Sequence, residues 1–370
     1  MTWAFRHRTL PQRVTFAAEA MPEAVAAEAE ELGASRVMLI ASDRESAQAD
    51  RIAEQVPVVL RHDEVVMHVP VDVAGRARAA AAGSGADMLV SIGGGSATGL
   101  AKAVARDTGL PIVAVPTTYS GSEATNVWGL TDNGIKTTGV DDRVLPAAVV
   151  YDATLLTSLP RELTVASALN ALAHCVDSMW GPRTDPIDQA LAQEGIRALA
   201  AGLTGFADAV GDERLAGIEQ TLYGAYLAAV SFASAGSGMH HKICHVLGGM
   251  FGLPHAQTHA VVLPYVLAFN APNAPGAERR IAQAFGSATA GAGLSALRHT
   301  LDAPVALKDY GMPEAGIAEA VTPIMAAIPA GNPTPVTTDS LTALLRAAWS
   351  GDDPDAVRAG HDNQTGSQQQ

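Results

Sequence analysis

A chain of 370 residues is too long for one small core and sets an expectation of two domains. Its composition, 48% apolar and 17% charged, excludes a disordered chain, and no apolar run reaches the roughly 18–20 residues needed to span a bilayer. The formal net charge of −14 argues against a nucleic-acid partner, since phosphate binding needs clustered Lys and Arg, but leaves room for an anionic small substrate in a locally positive cleft.

The N-terminus, MTWAFRHRTL, carries charge with no long apolar stretch after it, so no signal peptide is expected. Two cysteines, Cys175 and Cys244, cannot build a disulfide framework, which fits a reducing cytoplasm. Pro22–Leu32 reads as a helix stopped by Gly33, and Val37–Ala41 as a short apolar strand ending at Ser42-Asp43. A helical segment then runs through Glu54, followed by a strand at Val58–Leu60, a helix at Val71–Ala82 and a buried strand at Met88–Ile92. Ser96–Ala105 is helical again and Ile112–Val115 is a strand. Strands alternating with helices at this spacing imply parallel βαβ units and a dinucleotide-type sheet. Asn133-Gly134, flanked by Val127–Thr131 and Ile135–Thr138, reads as a β-hairpin, and Ala148–Tyr151 is a last strand. From Pro160 to about residue 350 the periodicity is helical. The expected division is therefore an α/β domain over 1–157, an all-α domain over 158–350 and a polar tail over 351–370.

Two loops carry candidate ligand chemistry in the first domain. Gly93, Gly94, Gly95 and Ser96 run directly from a strand into a helix, where glycines let the backbone approach a phosphate and the helix start offers free N–H groups. The loop is neither GxGxxG nor a P-loop, so an ordinary strand–helix turn is the competing reading. Asp43 follows an early strand, where a carboxylate accepts from ribose hydroxyls. Thr117, Thr118, Tyr119 and Ser122 belong to a hydroxyl-rich loop at the end of another strand, the edge at which open α/β sheets bind ligands.

The second domain holds its chemistry in Gly236–Pro264, where five of the eleven histidines fall between His240 and His259. His241 and His245 are four apart and share a helical face, and His255 follows Leu253-Pro254, where a helix ends and the chain can turn back. Five core histidines, each satisfied by a carbonyl, is the bland alternative to a site.

These pieces in this order resemble the iron-containing (group III) alcohol dehydrogenase family. The likeness rests on GGGSATGLAK (93–102), PTTYSGSEAT (116–125), Val150-Tyr151-Asp152, SALNALAHCVDS (167–178), the histidine stretch, and WGLTDNGIKTTG (128–139), and runs to about residue 340. It implies a dinucleotide-binding α/β domain of the dehydroquinate synthase type followed by an all-α catalytic domain, and a cytoplasmic homodimer. It also implies that Lys136, on the hairpin, lies close to cofactor.

Metal-dependent members hold Fe²⁺ or Zn²⁺ with one Asp and three His. Here those positions fall on Asn170, His174, His241 and His255, so the carboxylate is an amide, a poor donor to a divalent cation. The expectation is a site without metal, with His174, His241 and His255 as the ligands if one is bound. Gly99 stands where metal-dependent members have Asp. The branch that shares these departures implies NAD(P)H-dependent reduction of the carbon–carbon double bond of maleylacetate to 3-oxoadipate. On that reading His241 and His245 stabilise the enolate and deliver the proton. His174 and His255 hold carboxylate or ketone oxygens, Asn170 orients substrate or His174, and Tyr119 places a hydroxyl near the nicotinamide. His240 and His259 are weaker candidates, with His259 as support behind the others. Asp43 repels a 2′-phosphate and favours NADH, although Arg44 beside it offsets that repulsion and leaves NADPH open. The alternatives are a metal-dependent alcohol dehydrogenase on the same scaffold and a catalytically silent nucleotide-binding regulator.

Overall fold

The computed structural model describes residues 4–132, 135–206 and 210–355, except the side chains at 135, 136 and 206. The chain divides into two compact units. One spans Thr9–Leu159; the other joins the described N-terminal residues 4–8 to the helices from Pro160 onward.

The Thr9–Leu159 unit contains β1 (Arg13–Phe16), α1 (Met21–Glu31), β2 (Val37–Ala41), α2 (Ser46–Ala53), β3 (Val58–His62), α3 (Val71–Ser84), β4 (Met88–Gly93), α4 (Gly95–Thr108), β5 (Ile112–Pro116), β6 (Val127–Asp132), β7 (Ile135–Val140) and β8 (Ala148–Tyr151). Six strands form one parallel sheet in the order β1-β8-β5-β4-β2-β3. The period of two decides which side chain meets which helix layer. Val37 and Leu39 of β2, with Val90 and Ile92 of β4, pack against Met21, Val25 and Ile52 from α1 and α2. Met38 and Ile40 face the other way and meet Ala77, Leu100 and Val104 from α3 and α4. Both faces are covered, which is why these strands read as continuous apolar runs.

From β2 the chain passes to β3 on one side and then returns to β4 on the other. The strand order therefore switches direction between β2 and β4, and open α/β sheets bind ligands beyond the carboxyl ends at such a point. The residues immediately beyond those two ends are Ser42-Asp43 and Gly94.

The antiparallel pair β6–β7 matches the expected hairpin, with Val127 opposite Val140 and Asp132 opposite Ile135. Its turn, Asn133-Gly134, lies outside the described residues. Gly139 sits under the Trp128 ring, where a Cβ would come within 2.6 Å of it, and the Arg106 guanidinium covers Trp128 at 4.5 Å. One strand escaped the sequence reading. β1 is an exposed edge of four residues with Val14 and Phe16 in solvent, so it carries no alternation to read.

The second unit consists of α5 (Arg161–Ser178), α6 (Pro186–Phe206), α7 (Gly211–Ala235), α8 (Met239–Phe251), α9 (His255–Asn270), α10 (Pro275–Phe285), α11 (Ala290–Leu301), α12 (Gly316–Ala327) and α13 (Thr338–Ser350). α5 is buried on every side from Thr164 to Ser178, so it is the axis the other helices pack around. α6 and α7 approach closely at Gly195 and Gly224, where a Cβ on Gly224 would lie 2.8 Å from the Leu199 backbone nitrogen. α8, α9, α12 and α13 share one core through Ile243, Leu247, Val262, Val266, Ile324 and Leu344.

The domain limits differ from expectation at both chain ends. Residues 4–8 go with the helices, where His7 Nδ1 lies 2.9 Å from Asp185 Oδ2, instead of with the sheet. At the other end Gly351 caps α13 in the left-handed region (φ 83°) and the Asp352 carbonyl accepts from the Tyr265 hydroxyl at 2.8 Å. Gly351 and Asp352 are thus tied to the helices while Asp352, Asp353 and Asp355 stay exposed, and the rest of the expected tail, 356–370, lies outside the described residues. Among the described residues no helix is long and apolar enough to cross a membrane.

Candidate active site

In the α/β unit the glycine turn leaves little space for a side chain at Gly93 and Gly94. Gly93 ends β4 at φ +143°, and a Cβ there would come within 2.9 Å of Ala97 Cβ. A Cβ on Gly94 would lie 3.0 Å from Thr118 Cγ2, and one on Gly95 would lie 3.4 Å from Ser120 Oγ. The hydroxyl loop is therefore laid directly on the glycine turn, tied by Thr117 N–H donating to Gly93 O at 3.0 Å. Gly94 is the N-cap of α4, so the amides of Gly95 and Ser96 stand at the positive end of that helix, a ready anion site. Asp43 is exposed just beyond β2, as a ribose acceptor must be. Glu45, which the sequence reading passed over, accepts from the Ser42 hydroxyl, and its Cδ lies 4.0 Å from where a Gly93 Cβ would stand. Tyr119 is 1% exposed, and Ser122 is half-buried. Lys136 lies on β7 opposite Thr131, with its side chain outside the described residues.

Lys102 holds this loop from beneath. Its side chain is completely buried, and Nζ donates to the carbonyls of Ser122 (2.6 Å), Thr125 (2.8 Å) and Val127 (2.8 Å). Burial pushes its pKa down to about 7, against the pull of buried Glu123. Three carbonyl acceptors match the three donors of an ammonium. Glu123 in turn accepts from the Tyr151 hydroxyl at 2.9 Å. Gly99 has a packing reason as well, since a Cβ there would strike Val69 Cγ2 at 2.9 Å.

In the helical unit, α5 projects Asn170, His174 and Asp177 along one face, α8 supplies His240, His241 and His245, and α9 supplies His255 and His259. The anchor is Asp177. Its carboxylate accepts the backbone N–H groups of Gly238 (3.1 Å), His240 (3.3 Å) and His241 (3.1 Å), the first turn of α8, and meets His241 Nδ1 at 2.7 Å. Burial pushes the Asp177 carboxyl up to about 7 while those amides pull it down. The His174 and His241 rings stack with centroids 4.8 Å apart, and Phe232 packs on both. His259 lies 4.7 Å from the His241 ring and 4.4 Å from the His255 ring, and its Nδ1 is 2.9 Å from His240 Nε2.

Five buried atoms are left without a hydrogen-bond partner in this pocket: Asn170 Oδ1, His174 Nδ1, His240 Nδ1, His241 Nε2 and His259 Nε2. Unpaired polar atoms in such number are costly without a ligand to receive them. Burial lowers the imidazole pKa values, His174 to about 4, His240 to about 3, and His241 and His259 well below the ordinary value, which favours the neutral form of these rings.

The structure gathers Asn170, His174 and His241 as expected, with His245 and His255 exposed at the rim, their ring centroids 6.1 Å apart and His255 in ring contact with His259. It promotes two residues that the sequence reading ranked low. His259 is fully buried at the centre of the cluster, and His240 is its buried bonding partner. Asp177 was missed. Its signal was present, because i+3 from His174 and i+7 from Asn170 is one helical stripe.

Comparison with known proteins follows this geometry. Residues 11–153 match the family model for iron-containing alcohol dehydrogenase, and residues 164–349 match the C-terminal model of the Fe-containing alcohol dehydrogenase family. The chain belongs to the iron-containing alcohol dehydrogenase family. Within it, the sequence is 42% identical over 353 residues to the maleylacetate reductase of Burkholderia cepacia, covering 94% of this chain and 98% of that one. The solved maleylacetate reductase of Agrobacterium tumefaciens is 35% identical with a TM-score of 0.89, covering 95% of this chain and 99% of that one. A solved iron-containing alcohol dehydrogenase from Corynebacterium glutamicum is 57% identical with a TM-score of 0.93, over 96% of this chain and 100% of that one. The chain is thus an oxidoreductase of an NAD(P)-dependent family.

The iron in the family name finds a poor donor set. Asn170 supplies an amide where a carboxylate would carry charge. His174, His241 and His255, the set expected if a metal is bound, do not form a group; the imidazoles whose ligand atoms all lie within 4.8 Å are His240, His241 and His259. Two of those three spend a nitrogen on each other.

The glycine turn yields a direct test. Gly94→Val drives a branched side chain into Thr118 and is expected to weaken NADH binding by about tenfold or more, roughly 1.4 kcal/mol, in a fluorescence titration. An unchanged dissociation constant would remove this turn from the cofactor site.

Proposed function

We propose that the chain reduces the carbon–carbon double bond of maleylacetate to 3-oxoadipate with a reduced nicotinamide dinucleotide. The observation that carries this reading is the buried pocket of Asn170, His174, His241 and His259, whose unpaired atoms await an oxygen-rich ligand, in a chain similar to maleylacetate reductases along nearly its whole length. Hydride from the cofactor adds to the alkene carbon β to the ketone, the electron pair of the π bond shifts, and an enolate forms on the ketone oxygen. A proton delivered to the α carbon completes the reduction.

The residues supply what that sequence of charges needs. The substrate brings two carboxylates into a neutral imidazole pocket, and their charge favours protonation of the rings. His241 is set up for this. Asp177 holds its Nδ1, directs Nε2 into the pocket and stabilises an imidazolium that donates to the enolate oxygen. When His240 Nε2 donates to His259 Nδ1, His259 Nε2 carries the hydrogen and becomes a second donor. His174 Nδ1–H then donates to a ketone or carboxylate oxygen, and Asn170, turned so that its NH2 takes the place of the unpaired Oδ1, donates to the same oxygen. His245, exposed at the rim, exchanges protons with solvent and is assigned as the proton donor, with His255 beside it binding the second carboxylate. No step is routed through a metal ion.

Asp43, exposed beyond β2, supports NADH as the donor, and Arg44 next to it leaves NADPH as the second choice. We assign the protein to the cytoplasm on its two buried free cysteines, and a homodimer on its family membership.

Three measurements check this reading. NADH oxidation with maleylacetate should persist in EDTA; no turnover of maleylacetate beside brisk turnover of simple alcohols would overturn the assignment. Asp177→Asn should lower kcat by about 10–100-fold with NADH affinity retained, because an amide still fills the space but no longer stabilises charge on His241. His245→Ala should lower kcat by about 100-fold or more, again without loss of NADH affinity, and a wild-type kcat would take His245 out of the mechanism.

A further inference from the structure

Besides the imidazole pocket, one other cluster of metal-binding side chains is gathered among the described residues: His7, Asp185 and Asp188. It shares no residue with the pocket and takes no part in the reaction above. Asp185 precedes α6, and its Oδ1 accepts the N–H groups of Ile187 (2.7 Å) and Asp188 (3.0 Å), the first turn of that helix. That capping role fixes the carboxylate and leaves Oδ2 facing His7 Nδ1 at 2.9 Å. Asp188 is completely buried. Its Oδ2 accepts from Asp185 N–H at 3.3 Å, while its Oδ1 accepts no hydrogen bond and lies 3.6 Å from the same His7 nitrogen.

A proton on His7 cannot satisfy this arrangement. One Nδ1–H points along one line, so serving Asp185 leaves the fully buried Asp188 Oδ1 without a hydrogen bond of normal geometry; the Ser234 hydroxyl, which acts to lower the Asp188 pKa, is the other donor to this carboxylate. A divalent ion serves all three atoms at once. With bonds of about 2.0–2.2 Å, neighbouring ligand atoms around tetrahedral zinc stand about 3.3 Å apart. The separations of 2.9 and 3.6 Å lie on either side of that value. Two carboxylates neutralise the double charge, and one imidazole with two oxygens is a borderline donor set suited to zinc. Ser234 Oγ, 3.5 Å from His7 Nδ1, is a further oxygen beside the cluster.

We propose that His7, Asp185 and Asp188 bind a divalent cation of the zinc class, a structural clasp that fastens the N-terminal segment to the start of α6.

The test uses the full chain stripped by chelator and reloaded with Zn²⁺. Metal content, Co²⁺ absorption and the thermal midpoint are followed in wild type and in His7→Ala, Asp188→Asn and His259→Ala. Wild type and His259→Ala should take up an ion that raises the midpoint by several degrees. His7→Ala and Asp188→Asn should bind it about tenfold or more weakly and lose that rise. His7→Ala should keep the wild-type rate of NADH oxidation. His7 sits on a peripheral segment, so its variant reports even where Asp188→Asn fails to fold. Equal uptake and an equal midpoint shift in His7→Ala, or loss of the ion in His259→Ala alone, would overturn the proposal, as would a wild-type chain that takes up no ion.

Discussion

The Asp177 carboxylate, at the start of α8, is the constraint on which the helical half depends. Removing this group from water costs several kcal/mol. It is offset by three amide donors and an imidazole, each bond to a charged group contributing about 1.5–3 kcal/mol. These bonds offset only part of that cost, since burial still holds the carboxyl up at about 7, but the geometry they impose is strict. α8 can begin only where its first amides meet α5, so His241 arrives beside His174 and their rings stack. Gly238 is required at the same spot, because a Cβ there would lie 2.6 Å from Asp177 Oδ1.

The α/β half shows the same economy with the charge reversed. There a buried ammonium, Lys102, organises three carbonyls of the segment that follows β5. The hydroxyl loop is drawn over the glycine turn, and the amide-rich start of α4 stays open to an anion. In each unit one buried charge, hydrogen-bonded on several sides, positions the neutral groups of the candidate site. The exposed ion pairs, such as Arg76 with Glu64 and Asp72, organise nothing comparable and are screened by solvent.

How much was legible follows from how local each signal is. β2 and β4 announce themselves because burial on both faces demands uninterrupted apolar residues, and the glycine turn because three glycines between a strand and a helix have few other uses. β1 stayed hidden since an exposed edge needs no pattern. Among the histidines, a helical wheel for α8 correctly pairs His241 with His245 but says nothing of depth. The same wheel turns His240 away from that face, yet α9 packs on that side and supplies His259 as its partner. His259 could have been promoted from the spacing alone, as i+4 from His255 on one helix.

The sequence by itself determined the parallel α/β unit with its glycine turn, the helical remainder, and the family, because alternation, helix periodicity and long motifs are properties of neighbouring residues. It also determined that the fourth ligand position is an amide, since Asn170 is a matter of identity and not of folding. Only the tertiary structure decided which imidazoles are buried and which face solvent, that Asp177 aims His241, and that His7 meets Asp185 across 178 positions of chain. Those are contacts between separate helices, fixed by how close the backbones pack and where each buried charge finds its donors, and no local period encodes them.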